Sequence, residues 1–108
     1  EQSLLVISET ILVINTPNVI AIKNSNSDNS FFTIYATKPA TISEMEIYDR
    51  WGNLIFNVEG IPTSEPTLGW NGTYKGKDVN SGVYVYRYSL TTEDGEIITN
   101  IGDVTVIR

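Results

Sequence analysis

Short runs of β-branched and aromatic residues recur along this chain, each closed by glycine, proline, asparagine or aspartate, and no stretch carries the apolar period of a helix. Read this way, strands fall near residues 4–7, 11–14, 18–22, 31–36, 42–48, 54–58, 83–90, 96–101 and 104–107. A strand with one apolar face must cover that face with another layer, so many short strands joined by turns predict an all-β fold of two packed sheets.

In residues 41–48, Met45 and Ile47 fall on one face while Glu44, Glu46 and Tyr48 fall on the other. Val83 and Val85 likewise alternate with Tyr84, Tyr86 and Tyr88, giving one aliphatic face and one ladder of tyrosines. In the last run, Val104 and Val106 share a face opposite Thr105 and Ile107. The expected architecture is an immunoglobulin-like antiparallel β-sandwich of seven to nine strands, with Ile34, Met45, Ile47, Phe56, Val83 and Val85 inside as the apolar members of alternating runs. Gly52-Asn53 and Asp94-Gly95 read as tight hairpin turns, because those residue types tolerate positive φ. Residues 60–69, with Pro62 and Pro66, form the longest loop and are expected to carry the chain from one sheet to the other, while residues 24–30 are a second, wholly polar loop. With 108 residues, 41% of them hydrophobic, there is material for one core and therefore one domain, residues 1–15 being read as an added N-terminal strand or a linker from a preceding domain.

Composition narrows the chemistry. A net charge of −6 and scattered Lys and Arg residues argue against nucleic acid and against an anionic membrane surface. Cysteine and histidine are both absent, which removes disulfides, thiolate metal sites, thiol nucleophiles and the one side chain that titrates near neutrality. The expectation is a protein that is not an enzyme and has no cofactor. The longest apolar run, residues 4–7, is far too short to span a bilayer, so no membrane insertion is expected. The opening Glu1-Gln2-Ser3 lacks a basic region followed by an apolar stretch, which predicts no signal peptide and a mature or excised form.

Several local patterns carry a functional and a plainer meaning. Asn24, Asn26 and Asp28 are spaced like the first ligands of an oxygen-rich calcium loop, but Asn29 and Tyr35 stand where glycine and a bidentate glutamate belong, so an ordinary Asn/Ser turn is expected and no metal site is favoured. Glu44 and Glu46 share a strand face at about 6.6 Å, a spacing that a catalytic carboxylate pair can have, yet a solvated outer face accounts for them. Asn71-Gly72-Thr73 fits the glycosylation acceptor pattern and is better explained as a turn. Trp51 and Trp70 each adjoin a glycine, and both are expected to plug the core beside a turn; a surface pair of indoles would instead make a carbohydrate platform.

Four segments taken together resemble a known family: Ile47-Tyr48-Asp49-Arg50-Trp51-Gly52-Asn53-Leu54-Ile55-Phe56, Gly69-Trp70-Asn71-Gly72-Thr73-Tyr74-Lys75-Gly76-Lys77, Ser81-Gly82-Val83-Tyr84-Val85-Tyr86, and Val104-Thr105-Val106-Ile107-Arg108. Their order and spacing resemble the gliding-motility-associated C-terminal domain, also called the type B sorting domain of the type IX secretion system, from about Thr16 to the last residue. The resemblance implies a non-catalytic immunoglobulin-like sandwich at the C-terminus of a larger secreted protein. Its implied partners are the outer-membrane secretion machinery that reads it and the N-terminal cargo domains of the parent, the domain itself being a monomer. The implied destination is the cell surface or the medium, by way of the periplasm and outer membrane of a Gram-negative bacterium.

The residues expected to form a recognition surface are Arg50, Trp51, Gly52, Trp70, Asn71, Gly72 and Arg108, the last with its strand 103–108 because that strand closes the chain where a receptor can reach it. The sequence departs from the family between Pro17 and Phe31, where the two usual aspartates are Ser25 and Asn29, and no cation site is carried over to that loop. The usual Trp-Asp-Gly is Trp70-Asn71-Gly72, which keeps the turn and loses a charge. Flagellar hook-capping scaffolds share the later motifs, but the Arg50-Trp51-Gly52 hairpin and the ending at Ile107-Arg108 favour the sorting family. The alternative function is a structural or adhesive immunoglobulin-like module, glycan-binding through its aromatic residues.

Overall fold

A computed structural model describes residues 12–21 and 31–108. They form ten strands: β1 (Ile14–Asn15), β2 (Val19–Ala21), β3 (Tyr35–Ala36), β4 (Ala40–Tyr48), β5 (Leu54–Val58), β6 (Ile61–Pro62), β7 (Thr73–Tyr74), β8 (Lys77–Asp78), β9 (Gly82–Thr92) and β10 (Ile97–Ile107). A 3-10 turn, Pro66–Leu68, begins with the proline whose fixed φ suits that position. The expected strand at residues 4–7 lies outside the described residues, as does the polar loop with Asn24, Asn26 and Asp28.

The main sheet runs β2-β10-β9-β4-β5, with β6 also paired to β4. Its pairings are antiparallel except at one edge, where β2 runs parallel to β10. The two runs read as separate strands at 96–101 and 104–107 are one continuous strand, β10, paired with β9 from Ile97 to Val106. At the Asp94-Gly95 turn, Gly95 takes φ +87°, and the Thr92 and Gly95 amides donate to the Glu96 and Thr92 carbonyls at 2.9 Å.

One prediction about the core is reversed. Tyr84, Tyr86 and Tyr88 face inward and are buried, whereas Val83 and Val85 stand on the outer face with 50% and 37% of their surface exposed. A phenol buries more apolar area than an isopropyl group, provided its hydroxyl finds a partner. Tyr84 Oη donates to the Asn80 carbonyl at 2.8 Å, and Tyr86 Oη lies 3.0 Å from Thr16 Oγ1. Phe32, 4.9 Å from the Tyr86 ring, and Tyr88, 6.0 Å from it, complete an aromatic row.

On β4 the inward set is Ile42, Met45 and Ile47, which simple alternation cannot produce. Ser43 is an extra residue between the Ile42↔Leu90 and Glu44↔Ser89 pairs, and this bulge shifts the phase so that apolar residues on both sides of it face in. The Ser43 hydroxyl donates to the Ser89 carbonyl at 2.9 Å. Ile34, Met45 and Ile47 are buried as expected, and Phe56 packs against the core while half-buried.

The opposing layer consists of the β1-β3 pair, residues 32–34, the Trp70 bridge and the β7-β8 hairpin. Residues 60–69 carry the chain between layers: β6 pairs with Thr41 and Ile42, the Ser64 amide donates to Ile34, and Trp70 exchanges both backbone hydrogen bonds with Phe32 at 2.7 and 2.9 Å. Gly69 is required there, because a Cβ would collide with the Phe32 carbonyl.

Candidate functional site

β9 begins, β4 ends and β10 ends at the same end of the main sheet, because β9 is antiparallel to both neighbours. That end gathers most of the residues singled out from the sequence. The turn after β4 is organised by Asp49: its Oδ1 accepts the Trp51 and Asn53 amides, each at 2.9 Å, and its Oδ2 accepts the Asn53 side-chain amide at 3.0 Å. These bonds, the one from the Asn53 side chain foremost, hold the Asp49 carboxyl below its ordinary pKa. Gly52 takes φ +85°, as the turn needs.

Trp51 is 78% exposed, so its expected role as a core plug is corrected: the Asp49 turn closes through polar bonds and leaves the indole outside. The Arg50 guanidinium lies over that ring, 5.7 Å from its centroid. Trp70 is the plug. None of its surface is exposed, its indole N–H donates to the Thr73 carbonyl at 2.9 Å, and its ring packs on Tyr84 at 5.6 Å. A platform of two exposed indoles is therefore not formed.

Asn71 is exposed and Gly72 is buried with φ +81°, while Thr73 Oγ1 donates to Asn71 Oδ1 at 2.6 Å. Arg108 follows β10, with its backbone amide donating to Ser81 Oγ at 3.2 Å. Arg50, Trp51, Ser81, Gly82 and Tyr84 line one hollow of about 130 Å³, with room for water but not for an organic substrate. Burial, with the nearby Asp49 charge, raises the Tyr84 phenol pKa above its usual value.

Glu44 and Glu46 lie on the outer face and share Arg87, whose Nη1 is 3.6 Å from one carboxylate and 3.2 Å from the other. Tyr48 donates to Glu46 at 3.0 Å, a bond that raises the phenol pKa. Among the described residues no group of three acidic side chains stands ready for a metal.

A family model for the CHU_C type IX secretion signal domain matches residues 14–105. The chain belongs to that family. A CHU_C domain has a sorting-signal role and is recognised by secretion machinery. Its fold is also similar to the crystal structure of CopC from Methylosinus trichosporium OB3b, with a TM-score of 0.54 and 15% identity over 90% of this chain and 92% of that one. At such identity the likeness concerns the β-sandwich alone. No curated protein matches the chain in sequence. Among the described residues of the signal domain, no helix is long and apolar enough to cross a membrane.

Two residues of this end, Asp49 and Tyr74, stand in the family-like segments but are not among the recognition residues named from the sequence. Asp49 had a signal in its Asx spacing to Trp51 and Asn53. Tyr74 had none, since its exposure is a matter of packing.

Proposed function

We propose that residues 1–108 are one recognition domain that directs export of a larger parent protein, with cargo N-terminal to it, through the outer membrane of a Gram-negative bacterium to the cell surface or medium. The family match over residues 14–105 carries this reading. The role is docking, without chemistry and without a cofactor. The surface read is the end that gathers the Arg50-Trp51-Gly52 turn and Arg108, with Asn71 beside it, while Trp70 and Gly72 hold the neighbouring turn in shape from within.

The test is a neutral reporter fused ahead of residues 1–108 in a host with type IX secretion. The reporter is expected outside the cell, and retention inside would overturn the proposal. Deleting residues 104–108 removes the buried Val104 and Val106 and should abolish both folding and export. Replacing Arg108 alone touches an exposed side chain, so any fall in export after it reflects recognition.

A further inference from the structure

Two exposed aromatic residues at this end each carry a cation. Arg50 lies over Trp51, and Lys75 Nζ lies 5.3 Å from the centroid of the Tyr74 ring. The two pairs flank one ridge: the hollow beside Trp51 and the groove beside Tyr74 and Lys77 share Asp49, Asn80 and Tyr84 as lining. Arg108 borders the first through its bond to Ser81. Four of the chain's seven cationic residues, Arg50, Lys75, Lys77 and Arg108, therefore meet here.

Two carboxylates, Asp49 and Asp78, line these hollows against the four cations, and among the described residues neither forms an ion pair with them. Asp49 spends its oxygens on the amides of its own turn. Opposite, where β9 turns into β10, stand Glu93, Asp94 and Glu96. A chain of net charge −6 is thus polarised along its strands, with its exposed rings at the positive end. Lys75 adds an independent sign. It holds φ +54° in the two-residue turn between β7 and β8, a place that glycine, asparagine or aspartate occupies with less strain.

Resting on the sorting reading, we propose that Arg50, Trp51, Tyr74, Lys75, Lys77 and Arg108 form a single docking tip whose partner is a protein surface of acidic side chains around an apolar recess. The cations steer that end toward the acidic surface, and the two rings fill the recess as interface anchors. Cation–aromatic stacking holds the rings in place before contact.

The reporter fusion separates this proposal from the reading beneath it. The double variant Arg50→Gln, Lys75→Gln and the control Lys38→Glu change net charge equally, but Lys38 lies by the acidic turn of residues 92–96. With melting temperatures unchanged, export should fall by roughly tenfold or more in the double variant, as for lost interface anchors, and stay at the parent level in the control. Trp51→Ala with Tyr74→Ala should repeat the loss without altering charge. Parent-level export of both tip variants would overturn the tip while leaving the sorting reading intact, and failure of the unaltered fusion to be exported would overturn both. Binding of the domain to phosphatidylglycerol-containing vesicles, lost in the tip variants, would overturn a protein partner in favour of a bilayer.

Discussion

The phenol of Tyr86 stands where a side chain at Gly102 would have to go. The two residues are cross-strand partners on β9 and β10, and a Cβ at Gly102 would fall within the Tyr86 ring. The ring covers backbone that a glycine leaves bare, so β10 continues through a residue that ordinarily weakens a strand. Gly102→Ala should lower stability by about 1–3 kcal/mol through overpacking. A double-mutant cycle with Tyr86→Ala, followed by chemical denaturation, should show losses that do not add, and simple additivity would mean that the two groups are independent.

The inward tyrosines can be tested against the outward valines. Tyr88→Ala should cost about 3–5 kcal/mol, as for other large buried rings, and Val83→Thr should stay within about 0.5 kcal/mol of the parent. Urea midpoints of the two variants decide the matter, because an inward Val83 would make its variant the costly one.

The two tryptophans should part company in the same manner. Trp70→Ala is expected to lose about 3–5 kcal/mol, and Trp51→Ala no more than about 0.5 kcal/mol. In the parent, iodide should quench the fluorescence of Trp51 and leave that of Trp70 largely untouched. Equal quenching would contradict the burial of Trp70.

Protonation of Asp49 should loosen the turn that carries Trp51. Its folded-state pKa lies below the unfolded value, so its contribution is present above the ordinary carboxylate range and is lost as pH falls through the depressed pKa. A carboxyl titration followed by NMR should show Asp49 below the usual 3.8, with the Asn53→Ala variant moving it upward because the largest cause is gone. An unshifted titration in both proteins would remove the Asp49 turn as an organising element.

Much of the fold was legible because strands and turns leave local marks. The Gly52-Asn53 turn, the crossing over residues 60–69 and the shared face of Val104 and Val106 each rest on neighbours a few positions apart. The Ser43 bulge left no such mark: it exists because Ile42 and Met45 both meet apolar partners across the sheet, and those partners lie far along the chain. Of the candidate site, the residues Arg50, Trp51 and Arg108 were named from sequence alone, but their meeting at one end required the antiparallel register of β4, β9 and β10.

The amino-acid sequence by itself determined that this chain is an all-β signal domain, where its turns fall, and that β9 has one aliphatic and one aromatic face. Only the tertiary structure decided which of those faces lies inside, that β10 runs unbroken past Gly102, that β2 joins it in parallel, and that Trp51 is exposed while Trp70 is buried. The reason is symmetry. Alternation along a strand reads the same with either face turned inward, and the choice falls to distant groups, such as Thr16 for the Tyr86 hydroxyl and Gly102 for its ring, which no local pattern contains.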